Sequence, residues 1–314
     1  MQPPKKDATA TPGSGLAGMS LGVSSVSAKK RAEREAASAT SAGAGTGAGA
    51  PTVALPELDP KDPLAPLWAL EGVAELAVSV AQAIQGVHRH KSNLRKHNVT
   101  GSESVLRGAR ASAWLDGGER TLPEDGQVTD PVLAASLRVA DAISPEAISE
   151  TSRIWARAPQ QVLAKFALHA APTGAQNSAP QDSVGRPVGD EKLSAAMKEQ
   201  RLHILGDLIT GGSQAHAGLL SAVVHGELLT LQPFAHHNGI IARAASRLTT
   251  ISAGLDPRGL AVPEVYWTRH REEYEQAALG FASGTAAGLR TWILLHLRGL
   301  EAGAVEARGI AEAM

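Results

Sequence analysis

From Pro63 onward, large apolar residues recur every three or four positions. Leu67, Leu70, Val73, Ala77, Val80, Ile84 and Val87 share one face at that interval and predict a single long amphipathic helix. Glu71, Glu75 and Gln82 interrupt the run from Leu64 to Val87, so it does not read as a membrane span. Asp130-Pro131 joins an N-cap residue to a proline at the first helical position, predicting a helix over Val132 to Ile143. Ser144-Pro145 repeats the device for a helix that Pro159 ends or kinks. Further helices are expected from Asp190 to about Ile209, from about Ser213 to Leu231, and from Ile240 to Ser252, where Gly254 is the C-cap candidate. Two more start near Val262-Pro263 and at Ser283. No alternating strand pattern competes and no internal repeat is visible. The expectation is an all-α domain of about eight helices over residues 61–314.

The first 60 residues are Ala, Gly, Ser, Thr and Pro with few large apolar side chains, and predict a disordered tail. Its basic cluster, Lys29, Lys30, Arg31 and Arg34, is partly offset by Glu33 and Glu35 and reads as solvated. Ala171 to Gly189 reads as a long loop. Lys5 and Lys6 are followed by no apolar region, which argues against a secretory signal. A formal charge of -1 gives no general electrostatic reason to expect nucleic acid or an anionic membrane as partner. The chain has 0 cysteines, which excludes disulfides, thiolate zinc sites and Cys nucleophiles and fits a reducing compartment, the cytoplasm.

The chemically informative stretch runs from His225 to Arg243, HGELLTLQPFAHHNGIIAR. An apolar helix ends at Leu231, a compact loop carries Pro233, Asn238 and Gly239, and a second helix follows with Arg243 one turn inside it. A helix N-terminus presents unpaired N–H groups and the positive end of the dipole, so with Gly239 and Arg243 nearby it suits an anion, most naturally phosphate.

This stretch resembles the Fic (Fido) family of protein AMP-transferases at its signature H-P-F-x-[D/E]-G-N-G-R-x-x-R. Pro233, Phe234, Asn238, Gly239 and Arg243 match it, and His225 sits where that family commonly has a histidine in the preceding helix. The resemblance implies an all-α fold, a nucleotide such as ATP as ligand, and Mg²⁺ on its phosphates. The departures are chemical. Gln232 stands at the position of the general base, and an amide cannot accept a proton near neutral pH. His236 replaces the acidic residue that holds magnesium, and imidazole suits Mg²⁺ poorly. His237 replaces the first Gly and Ile240 the first Arg, a phosphate clamp. Upstream, Ser112 to Gly117 has the spacing of the family's autoinhibitory [S/T]-x-x-x-E-[G/N] helix, with Asp116 for Glu, placing such a helix at about 103–117. The resemblance then implies that Asp116 pairs with Arg243.

Other readings compete. His225, His236 and His237 could be zinc or nickel ligands, although adjacent residues seldom point at one ion. His236 or His237 could also replace the lost base. Arg89, Lys91, Arg95 and Lys96, with His88, His90 and His97, read as a solvated basic helix end. Trp68, Trp114, Trp155, Trp267 and Trp292 read as core or partly buried packing. Three functional classes stay open: a Fic-like binding protein for a nucleotide or protein partner without AMP transfer, a divergent nucleotidyl- or phosphoryl-transferase with another base, and a structural protein such as a helical homodimer.

Overall fold

The computed structural model describes residues 57–172 and 185–314. Nearly all of the predicted tail, with its basic cluster, and most of the loop predicted over 171–189 lie outside the described residues. The described chain forms twelve α-helices. They are α1 (Ala65–Trp68), α2 (Val73–His88), α3 (Lys91–Leu115), α4 (Pro131–Asp141), α5 (Ile148–Trp155), α6 (Pro159–Ala170), α7 (Ala195–Asp207), α8 (Ala217–Leu231), α9 (Asn238–Ser252), α10 (Pro263–Arg269), α11 (Arg271–Ala282) and α12 (Ala286–Glu312). No strand occurs among the described residues.

The count exceeds eight because local backbone chemistry cuts several periodic runs. Gly72 adopts φ 81°, a left-handed conformation that splits the first long helix into α1 and α2 although the apolar face runs on. Pro159 starts α6 as well as following the end of α5. Asp190 caps no helix: its carboxylate accepts from the N–H groups of Lys192 and Leu193 in a turn. Ser194 caps α7 instead, accepting from Met197 N–H at 3.3 Å. A π-helical turn, Leu208–Gly212, then precedes α8. Asp130 does cap α4, accepting from Leu133 N–H at 2.6 Å, and Gly254 beyond α9 has φ 79°.

α8 carries apolar residues on all faces and is buried along almost its whole length, its polar Ser221, His225 and Glu227 included. It packs on α9, which is buried from Ile240 to Ile251, and α12, α11 and α2 surround this pair on one side while α3 to α6 meet α9 on the other. Trp155, Trp267 and Trp292 are fully buried core residues. Trp114 departs from the packing expectation and is 42% exposed. It lies two positions from both Ser112 and Asp116, which puts it on the opposite face of α3. No helix among the described residues is long and apolar enough to cross a membrane.

Candidate functional site

α3 delivers Asp116. The helix stops because Gly117 turns left-handed at φ 86°; its N–H bonds to the Trp114 carbonyl at 3.1 Å, and Gly118 N–H to the Ala113 carbonyl at 2.9 Å. This is a Schellman closure, and it leaves Asp116 immediately past the last helical residue with Ser112 one turn behind it.

The loop from Gln232 to His237 is held from several directions. Gln232 caps α8 with φ 42°, and its carbonyl accepts from the buried Lys198 ammonium at 3.0 Å. Lys198 also pairs with Asp190 at 2.7 Å. That hydrogen bond, aided by the N–H groups of Leu193 and Lys192, lowers the Asp190 pKa to about 2. Val188 N–H bonds to the Pro233 carbonyl at 2.8 Å. Asn238 turns its amide back across the loop: Oδ1 accepts from Phe234 N–H at 2.9 Å and Nδ2 donates to the Phe234 carbonyl at 2.7 Å. The side chains of Gln232 and His236 are exposed. His237 stands at the N-cap of α9 with φ 49° and no side-chain capping bond. A side-chain-bearing residue in that conformation costs about 1–2 kcal/mol, which the glycine of the Fic signature would avoid. His237 is half-buried, and burial lowers its pKa against the opposing pull of Asp116.

Arg243 is 2% exposed and engaged through all three of its side-chain nitrogens. Its Nε donates to Ser112 Oγ at 2.7 Å and its Nη2 to the Ser112 carbonyl at 3.0 Å. Nη2 also pairs with Asp116, while Nη1 donates to the Tyr274 hydroxyl at 3.3 Å. Burial disfavours the cation, but the Asp116 charge and the bonds to Asp116 and Tyr274 outweigh it and raise the Arg243 pKa. The Asp116 carboxylate lies close against Gly239, so that a side chain at that position would collide with it. It therefore stands at the N-terminal turn of α9, where the helix dipole favours negative charge. The cavity beside Arg243 is about 20 Å³, bordered by Ser112, Ser136, Arg247 and Glu264. That admits about one water and no nucleotide.

The histidines do not converge. His225 is fully buried, with Trp267, Trp292, Tyr274 and His296 around its ring, while the rings of His236 and His237 are 6.4 Å apart on the loop. Among the described residues no group of three or more His, Cys, Asp or Glu is placed to hold a metal. In the basic helix end, Arg89, Lys91, Arg95, Lys96 and His97 are exposed. His88 pairs with Asp256 at 2.7 Å, and His90 caps α3. Sequence reasoning missed Lys198, Tyr274 and His296, since no local pattern marks a residue that reaches the site from another helix.

No family model and no curated protein matches the chain. Two solved structures share its architecture. A Fic-1 fragment from C. elegans superposes with TM-score 0.56 at 17% identity, covering 75% of this chain and 72% of that one. A Fic family protein from Desulfovibrio desulfuricans G20 superposes with TM-score 0.50 at 17% identity, covering 76% and 74%. The arrangement of these helices around the α8–α9 loop is the Fic fold.

Proposed function

We propose that this Fic-fold protein is a self-occluded binding regulator: its motif loop accepts a nucleotide phosphate when Asp116 withdraws, and it does not transfer AMP. The observation that carries the reading is the position of the Asp116 carboxylate, on Arg243 and against Gly239 at once. A carboxylate in that place is a resident anion, and a phosphate arriving from solvent competes for the same guanidinium. Gln232 at the position of the base cannot accept the proton of a target hydroxyl. Without an acidic residue at position 236, Mg²⁺ has no carboxylate from the loop, and any metal comes with the nucleotide. The protein acts by what it holds, a nucleotide or a protein target that moves Asp116. Its lack of cysteine suits the cytoplasm.

The test is ligand-induced thermal stabilisation with ATP, GTP and CTP, with and without Mg²⁺ or Zn²⁺, on wild type and Asp116→Ala. Ligand at 100 times its dissociation constant stabilises by about 2.7 kcal/mol. A shift in Asp116→Ala larger than in wild type supports the reading; no shift in either protein with any nucleotide overturns it.

His237 motivates a second reading. Its half-buried imidazole has a lowered pKa and so is neutral at physiological pH, beside Asp116 and one residue from the start of α9. That makes it a proton acceptor for a divergent transferase. Labelling from radiolabelled ATP that His237→Ala abolishes separates this reading from the first.

A further inference from the structure

We infer that Tyr274 and His225 are positioning residues for Arg243, middle links of a hydrogen-bond chain that runs one way from the Arg243 guanidinium to the Gly218 carbonyl. The chain passes through Tyr274 Oη, His225, His296 and Ser221, all buried. Its links are Arg243 Nη1 to Tyr274 Oη at 3.3 Å, Tyr274 Oη to His225 Nε2 at 2.9 Å, and His225 Nδ1 to His296 Nδ1 at 3.3 Å. His296 Nε2 then meets Ser221 Oγ at 3.0 Å, and Ser221 Oγ meets the Gly218 carbonyl at 2.9 Å.

The Arg243 end dictates the direction, and the Ser221 end agrees with it. With the Ser221 proton on the Gly218 carbonyl, Ser221 Oγ accepts from His296 Nε2–H, and Ser246 Oγ faces the same nitrogen at 3.5 Å. A neutral His296 then has a bare Nδ1, which forces His225 to carry its proton on Nδ1 and leaves His225 Nε2 bare. Tyr274 must donate to that nitrogen, and its oxygen is left as an acceptor. From the other end, a guanidinium only donates, and the Tyr274 oxygen is where Nη1 points. Reversing any one link leaves a buried proton without an acceptor or sets two protons against each other. Burial supports neutrality at both rings: it lowers the His296 pKa to about 3 and, with His296 and Arg243 nearby, takes His225 well below its ordinary value.

The consequence for Arg243 is that one of its amino groups is tied to a neutral acceptor deep in the core and independent of Asp116. When Asp116 is displaced, Ser112 and Tyr274 still hold the guanidinium beside α9. The cation is preorganised for an anion and does not collapse into the space left behind. This consequence rests on the anion-site reading; the proton order does not.

The first arm of the test is long-range ¹H–¹⁵N correlation on the full chain, with the two rings assigned through His225→Gln and His296→Gln. The expected result is His225 protonated on Nδ1, His296 on Nε2, and neither ring titrating between pH 5 and 9. Finding Nε2–H on His225, or a charged ring, overturns the chain, and this reading needs no ligand. The second arm titrates inorganic phosphate into Asp116→Ala and into Asp116→Ala with Tyr274→Phe, with circular dichroism confirming that both fold. About tenfold weaker binding in the double variant is expected, and rescue by Tyr274→His, which restores an acceptor, supports positioning. Equal affinity overturns the positioning role of Tyr274. If Asp116→Ala binds no anion, the anion-site reading fails while the tautomers still decide the chain.

Discussion

Asp116 and Arg243 are 127 positions apart in sequence and form a direct ion pair at the meeting of the end of α3 and the start of α9. Each helix terminus alone would disfavour or favour that carboxylate in opposite ways. At the C-terminus of α3 a negative charge is repelled by the dipole, and at the N-terminus of α9 it is attracted. The Arg243 cation decides the outcome, being nearly inaccessible to solvent and requiring a counter-charge.

Removing either partner separates stability from ligand binding. Asp116→Ala is expected to cost about 3–5 kcal/mol, because it leaves the buried Arg243 cation without its counter-charge, at the lower end because the carboxylate is partly solvated. Its affinity for ATP and phosphate should nevertheless rise. Arg243→Ala is expected to abolish anion binding. Urea unfolding and titration calorimetry on the three proteins check both statements. Tighter ATP binding by wild type than by Asp116→Ala would count against competition for one guanidinium.

Gly239→Ala probes the same pair from the other side. Position 239 is ordinary helix, so alanine suits the backbone, but its Cβ would run into the Asp116 carboxylate. The side chain, being the more mobile element, should yield and release Arg243. The variant is expected to share the gain in ligand affinity of Asp116→Ala, and the double variant to add little, as neighbours acting on one contact do. Additive gains measured by calorimetry would refute the shared route.

AMP transfer should be absent from wild type under Mg²⁺, and Gln232→His should not create it. A missing general base costs on the order of 10²–10⁴ in rate, but restoring it leaves Ile240 in place of a phosphate clamp and His236 in place of a metal carboxylate. Radiolabelled ATP followed by electrophoresis checks this. Robust labelling by wild type that Gln232→Ala abolishes would sink it.

Away from the site, Asp256 should impose an acid limit on stability. It is buried, which by itself raises its pKa, but the hydrogen bond and charge of His88 and the N–H groups of Leu260 and Ala261 lower it overall. A depressed folded-state pKa means that this stabilisation is fully present above the unfolded value of about 3.9 and disappears as pH falls through the folded value. Asp256→Asn is therefore expected to cost about 1–3 kcal/mol at pH 7 and progressively less below about pH 4. Urea midpoints for both proteins across that range provide the measurement. A gap that widens in acid would contradict the sign.

Helical class, the capping of α4 by Asp130 and the left-handed stop at Gly254 were legible in the sequence, because each depends on contacts within a few residues of itself. The relation between Ser112, Asp116 and Arg243 was legible only through the resemblance to the Fic inhibitory helix, since no local pattern ties a residue of α3 to one of α9. Periodicity misjudged the stretch around Gly72, where one left-handed glycine breaks a helix without disturbing its apolar face. Tyr274, His296 and Lys198 carried no local signal. Their roles arise because α11, α12 and α7 pack where a buried arginine, a buried imidazole and a loop carbonyl each need a partner. Propensity and capping act over one helical turn and are written in neighbouring residues. The demand that every buried donor find an acceptor acts across the core and exists only once the helices have met.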